Sequence, residues 1–108
     1  MTVVIKRDLS ESISKIALQF PVIIITGPRQ SGKTTLVQNI FPEKAYISLE
    51  DLDTREFAEQ DPRGFLSQYQ DGAILDEVQR VPQLFSYIQG VVDKNQKMGE
   101  WILTGSQH

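Results

Sequence analysis

Val22-Ile23-Ile24-Ile25-Thr26-Gly27-Pro28-Arg29-Gln30-Ser31-Gly32-Lys33-Thr34-Thr35-Leu36-Val37 runs from an apolar stretch through a glycine-bearing turn into a helical pattern. Val22 to Ile25 are consecutive β-branched residues without polar alternation, the pattern of a strand buried on both faces in the middle of a parallel sheet. Gly27 through Thr34 satisfy G-x-x-x-x-G-K-[ST], and they stand where that motif works, between a buried strand and the start of a helix. Its glycines let backbone N–H groups curl around an anion, and a helix beginning near Lys33 adds roughly half a positive charge at its N-terminus. The stretch therefore predicts a cradle for nucleotide phosphates made by Gly27, Pro28, Arg29, Gln30, Ser31, Gly32, Lys33, Thr34 and Thr35. Lys33 is placed to reach the β- and γ-phosphates, and the Thr34 hydroxyl to ligate Mg²⁺, which takes few protein oxygens beside phosphate oxygens and water. Thr35 reads as a helix residue near the phosphates. Arg29 and Gln30 can touch phosphate or a neighbouring subunit, with a solvated side chain as the default.

A second chemical element lies downstream. Ala73-Ile74-Leu75 reads as a short buried strand, and Asp76-Glu77 places two carboxylates at its C-terminal end, the end where ligands of open α/β sheets bind. Asp76 suits the holding of Mg²⁺ through its water shell, and Glu77 the orienting and polarising of an attacking water. Trp101-Ile102-Leu103-Thr104 is a further strand. After it, Thr104-Gly105-Ser106-Gln107 can supply the polar group that senses the terminal phosphate or helps position the water, with Thr104 as first candidate and a plain turn at Gly105 as the alternative. Glu50 and Asp51 end the strand Tyr46-Ile47-Ser48-Leu49 and are explained by helix capping and surface acidity. Arg55, Arg63 and Arg80 are candidates for a cation offered across a subunit interface, Arg80 first because it lies close to the acidic pair; each is by default a surface charge.

Working outward, Leu9, Ile13, Ile16, Ala17 and Phe20 recur at helical spacing behind an Asp8/Glu11 capping box. Leu36, Val37 and Ile40 mark a helix from about Lys33 to Phe41, stopped by Pro42. Asp53 or Thr54 can cap a helix through Gln60, and Asp61-Pro62 can start another carrying Phe65, Leu66 and Tyr69. Pro82 opens a helix whose Leu84, Phe85, Ile88, Val91 and Val92 form one stripe, and Trp101 and Met98 read as core and edge residues. Strands alternating with helices at this spacing predict an α/β fold, a parallel sheet with right-handed crossovers and helices on both faces.

Composition narrows the chemistry. With 108 residues the chain holds one domain at most, and 40% hydrophobic with 23% charged residues is ordinary globular usage. No cysteine and a single His, at the last position, exclude thiol nucleophiles, thiolate metal sites and His-based triads. The apolar run Phe20 to Ile25 is far shorter than the roughly 20 residues of a membrane span, and the N-terminus lacks the order of a signal peptide, so a cytoplasmic chain without membrane contact is expected. Net charge is −3, yet residues 1–49 carry six Lys/Arg against three Asp/Glu, and residues 50–108 five against eleven. Broad binding to nucleic acid is not indicated.

Four stretches together resemble the start of a prokaryotic AAA-type ATP-binding protein: Gly27 through Leu36, Ser48-Leu49-Glu50-Asp51, Ile74-Leu75-Asp76-Glu77-Val78-Gln79-Arg80-Val81-Pro82 and Leu103-Thr104-Gly105-Ser106-Gln107. The G-x-x-x-x-G-K-T part is general among P-loop NTPases; the D-E-x-Q-x-x-P wording is more specific. The resemblance implies a three-layer α-β-α P-loop domain with strand order 5-1-4-3-2, counted from Val22. It implies ATP and Mg²⁺ as cofactors, with Lys33 and Thr34 in a Walker A role, Asp76 and Glu77 in a Walker B role, and a sensor at Thr104 or Ser106. Lys33, Glu77 and Thr104 would be the catalytic residues and Thr34 and Asp76 the metal ligands of an ATPase. Relatives of this type carry a fifth strand and a further domain, so residues 1–108 are expected to be the N-terminal part of one domain, truncated after the fourth strand. That would leave the Val22 strand at a sheet edge that Val3-Val4-Ile5 can cover, and a homo-oligomer or partner subunit can complete the fold. A non-hydrolysing nucleotide switch is the alternative from another class. A small-molecule kinase is disfavoured by the Asp-Glu strand end.

Overall fold

The computed structural model describes residues 2–5, 10–29 and 31–106. Asp8 of the capping box, Leu9, Gln30, Gln107 and His108 lie outside the described residues. The elements follow in the order β1 (Thr2–Ile5), α1 (Ser10–Ala17), β2 (Val22–Gly27), α2 (Lys33–Ile40), β3 (Tyr46–Ser48), α3 (Leu52–Gln60), α4 (Pro62–Ser67), β4 (Ala73–Asp76), a 3₁₀ turn (Val78–Arg80), α5 (Leu84–Asn95) and β5 (Trp101–Ser106). All strand pairs are parallel, and the sheet order is β1-β2-β5-β4-β3.

Alternation along the buried strands sends successive side chains to opposite layers. Ile23 and Ile25 of β2, Ile74 of β4 and Ile102 of β5 pack with Ile13 and Ala17 of α1 and Val37 of α2. The intervening Val22, Ala73, Leu75, Trp101 and Leu103 pack with Ala58 of α3, Phe65 and Leu66 of α4, and Leu84, Ile88 and Val92 of α5. Both faces are covered, which is why these strands read as unbroken apolar runs. The result is the three-layer α-β-α architecture expected of a P-loop domain.

Counted from Val22, the expected 1-4-3-2 part of the strand order is present as β2-β5-β4-β3. The position beyond β2 is filled from the N-terminus: β1 pairs with it over Thr2↔Val22 through Ile5↔Ile25. The β2 backbone is thus hydrogen-bonded on both sides, and among the described residues β2 is not a sheet edge.

Three local expectations change. The cap of α3 is Asp51, whose carboxylate accepts from the Thr54 amide at 3.0 Å, so the helix starts earlier than a cap at Asp53 or Thr54 would allow. Phe85 leaves the α5 stripe at 39% exposure, while Leu84, Ile88 and Val92 hold it. β5 continues to Ser106 and pairs Thr26↔Gly105 and Gly27↔Ser106, so Gly105 is a strand residue, not a turn. Asp61 caps α4 with Pro62 in its first turn, as read from sequence, and Trp101 is fully buried.

Leu103 lies on a central strand with no exposure, whereas Leu18 is 77% exposed. Leu103→Ala should lower unfolding free energy by about 2–5 kcal/mol in urea titrations. Leu18→Ala should stay within about 0.5 kcal/mol of the parent. Equal losses at both positions would contradict the packing described.

Candidate functional site

Parallel strands β2, β5 and β4 end on the same side of the sheet, and the chemistry gathers there. β2 ends at Gly27, and Gly32 precedes α2 with φ +85°, a left-handed backbone that favours glycine. Gly32 then begins the helix ladder, its carbonyl accepting from the Leu36 amide at 2.9 Å. Between this loop and the end of β4 lies a cleft of about 470 Å³, lined by Arg29, Ser31, Gly32, Lys33, Thr34, Thr35, Glu50, Asp76 and Glu77. A larger concavity lies elsewhere, between α4 and α5, and contains none of these groups.

Lys33 is only 3% exposed. Its Nζ donates to the Pro28 carbonyl and to Ser106 Oγ, both at 3.1 Å, and lies 3.7 Å from Glu77 Oε2. Ser106 Oγ in turn donates to Glu77 Oε2 at 2.7 Å, so one hydroxyl bridges the buried cation and the buried anion. Gln79 Nε2 donates to the other Glu77 oxygen at 2.6 Å. Burial pushes the Glu77 carboxyl up, but the Gln79 and Ser106 hydrogen bonds and the Lys33 charge outweigh it and hold the group below its ordinary value. Glu77 also has φ +58°, a left-handed backbone at a non-glycine residue, of the kind that concentrates at functional sites.

Asp76, one residue earlier, is surrounded by hydroxyls. Its Oδ1 accepts from Thr34 Oγ1 at 3.1 Å and from Thr104 Oγ1, and its Oδ2 accepts from the Tyr46 hydroxyl at 2.5 Å. Burial and then the bond to Asp76 push the Tyr46 phenol well above its ordinary range. Thr104, fully buried, also accepts from the Glu77 amide at 3.1 Å. Thr104 therefore fixes the backbone beneath the acidic pair, and Ser106 is the hydroxyl that meets Lys33 and the Glu77 carboxylate.

The sequence-derived residues thus converge, with some changes of part. Pro28 contributes its carbonyl to Lys33, and Thr35 lies exposed on the cleft wall. Arg29 is not simply solvated: it meets Glu50 at 2.6 Å, and this pairing raises its pKa and lowers that of Glu50. Glu50 caps no helix; it lines the cleft and also lies 3.5 Å from Arg80. Arg55 hydrogen-bonds the Leu49 and Glu50 carbonyls of its own chain, and Arg63 lies over the Tyr87 ring on the far face. Of Arg55, Arg63 and Arg80, the last is the one that meets the side chain of a cleft-lining residue, Glu50. Tyr46 and Gln79 carried no assigned role in the sequence; only strand adjacency and the turn after Glu77 bring them in.

The donor set is suited to a phosphate ligand and a hard cation. Lys33 is a buried ammonium hydrogen-bonded to two neutral oxygens, an arrangement that an anionic oxygen complements. Among the described residues no group of three or more His, Cys, Asp or Glu can hold a metal by itself. Thr34 and Asp76, 3.1 Å apart, match a cation that brings phosphate oxygens and water with it, as Mg²⁺ does.

Fold and cleft together define an α/β P-loop protein that binds nucleotide phosphates. Residues 19–108 match the family model of the AAA domain, and the chain belongs to that family, a nucleotide-binding, ATPase-like module. Two similar proteins, one from Mycobacterium bovis and one from Mycobacterium tuberculosis, are both described as uncharacterized. Each is 33% identical over 104 residues, covering 94% of this chain and 23% of the relative. The chain spans about a quarter of the length of these relatives. No solved structure matches it. No helix among the described residues is long and apolar enough to cross a membrane.

Thr104→Val keeps shape and removes the hydroxyl shared by the Glu77 amide and Asp76. Loss of about 2 kcal/mol or more in chemical unfolding, without any nucleotide present, is the expected outcome, because a buried N–H is left unpaired. A variant as stable as the parent would remove Thr104 from this supporting role.

Proposed function

We propose that the chain binds ATP with Mg²⁺ in the cleft between the Gly27–Thr35 loop and the end of β4, and hydrolyses it to ADP and phosphate. The observation that carries this reading is the Lys33–Ser106–Glu77 bridge, a buried cation and carboxylate joined by one hydroxyl beside the Thr34–Asp76 pair. Lys33 supplies positive charge to the terminal phosphates, and the loop amides from Gly27 to Thr34 cradle them. Thr34 and Asp76 would hold Mg²⁺, which when bound neutralises phosphate charge. Glu77 orients water and accepts its proton, and Gln79 holds that carboxylate in place. Ser106, in contact with both Lys33 and Glu77, takes the sensing part that Thr104 is too deeply buried to play. Arg80 is the candidate cation for a neighbouring subunit, and cytoplasmic action of residues 1–108 as part of one AAA-type domain fits the same reading.

A second reading has its own support. Both Glu77 oxygens are already engaged, by Gln79 and by Ser106, which suits a switch that binds nucleotide without turning it over. The two readings part on phosphate release with ATP bound.

Lys33→Ala should weaken Mg-ATP binding about 100-fold in calorimetry, with circular dichroism checking the fold, as expected for a lost charge-assisted contact of roughly 3 kcal/mol. Glu77→Gln should retain binding and lower phosphate release by about 10²–10⁴-fold. Unchanged release in Glu77→Gln removes it as the base. Binding without release in the parent selects the switch. No Mg-dependent heat with any nucleoside triphosphate overturns both readings.

A further inference from the structure

On the face of the sheet opposite α1 and α2, helices α4 and α5 leave an open groove of about 930 Å³. Its wall includes Arg63, Tyr87, Gly90, Val91, Lys94 and Lys97, and no carboxylate lines it. This cationic groove lies in the part of the chain where acids outnumber bases eleven to five. Arg63 stacks over Tyr87 at 5.8 Å, and Lys97 reaches the exposed Asp71 at 3.4 Å and the Gln70 carbonyl at 3.5 Å. Among the described residues Lys94 forms no ion pair.

Gly90 adds an independent observation. It stands inside α5, where glycine is the poorest helix former after proline, yet a Cβ there would meet nothing within 4 Å. No contact within the chain calls for the missing side chain. A helix glycine opening onto a groove is suited to close approach by something from outside.

The complement is present on the same molecule. Leu52, at the start of α3, is 71% exposed. Glu56 and Glu59 share its helix face, Asp53 lies beside it, and all three acids are exposed. Among the described residues the Asp53 and Glu59 side chains have no hydrogen bond or ion pair, and the Glu56 carboxylate meets only the Gln60 side-chain amide at 3.3 Å. α3 is joined to α4 through the Phe57–Phe65 edge contact at 5.8 Å, so acidic helix and cationic groove lie side by side.

We propose that a second copy of this chain docks its α3 into the α4–α5 groove, Leu52 directed to Gly90 and Val91 and the α3 carboxylates to Arg63, Lys94 and Lys97. Because α3, α4 and α5 pack on the same side of the sheet, twofold pairing would engage helix and groove twice, each copy giving one of each. The contact is remote from the phosphate loop and does not depend on nucleotide.

Sedimentation velocity from micromolar to millimolar chain tests it. Self-association that weakens with salt is expected. Glu56→Lys with Glu59→Lys in one chain, and Arg63→Glu with Lys94→Glu in another, should each weaken association at least about tenfold, and mixing the two should restore it as a heterodimer. Gly90→Glu should raise the thermal midpoint of the monomer and block association. A parent that stays monomeric throughout, charge-reversed chains that associate as the parent does, or a mixture that stays monomeric would each overturn the proposal.

Discussion

Lys33 carries its ammonium to 3% exposure at the C-terminal edge of the sheet, where a cation without partners would be strongly destabilising. The groups around it answer that charge. The Pro28 carbonyl and Ser106 hydroxyl accept hydrogen bonds from it, and the Glu77 carboxylate lies just beyond hydrogen-bond reach at 3.7 Å. These contacts tie the loop after β2 to the ends of β5 and β4, three segments far apart in the chain. Only a parallel sheet in which β5 lies between β2 and β4 lets one lysine meet both. Site and topology are therefore one constraint: the crossover order that buries the apolar runs also brings cation and acids together.

Much of this was legible because it rests on local patterns. Val22 to Ile25 announced burial on both faces, and the glycine spacing before Lys33 announced the loop; neither needs knowledge of distant residues. What local patterns leave open is decided by depth or by neighbours across the sheet. Thr104 and Ser106 are two residues apart on β5 and share a strand face, so alternation cannot separate them; Thr104 is fully buried while Ser106 is at the strand end, where Lys33 can reach it. Tyr46 read as the start of an apolar strand. Its part at Asp76 depends on the β3–β4 register, which pairs Ser48 with Asp76 and is set by the fold as a whole. Around residue 51 there were several good cap formers in a row, and local chemistry alone does not choose among Asp51, Asp53 and Thr54.

β1 teaches a related point. Thr2 to Ile5 carry the β-branched signature of a strand but lie far from β2 in element order, separated by a whole helix. A parallel neighbour demands such a crossover, and α1 supplies it while covering one face of the sheet through Ile13 and Ala17. The N-terminal strand therefore closes the hydrogen bonding of β2, and the helix that follows it covers one face of the sheet. The position beside the phosphate-loop strand is occupied within these 108 residues.

Asp76 shows how such a site can hold charge and still respond. Its oxygens are met by three hydroxyls, from Thr34, Thr104 and Tyr46, and not by fixed cations. A hydroxyl both donates and accepts, and turning about one bond exchanges the two capacities. In the proposed Mg²⁺ site, turning the Thr34 hydroxyl away from Asp76 would offer a lone pair to the cation. Ser106 and Thr104 are each engaged as acceptor and donor at once, Ser106 between Lys33 and Glu77 and Thr104 between the Glu77 amide and Asp76. The division is between Thr34, which lines the cleft, and the two β5 hydroxyls, which are committed on both sides. The β5 hydroxyls thus satisfy the buried Lys33, Glu77 and Asp76 from below, while Thr34 meets Asp76 from the cleft side.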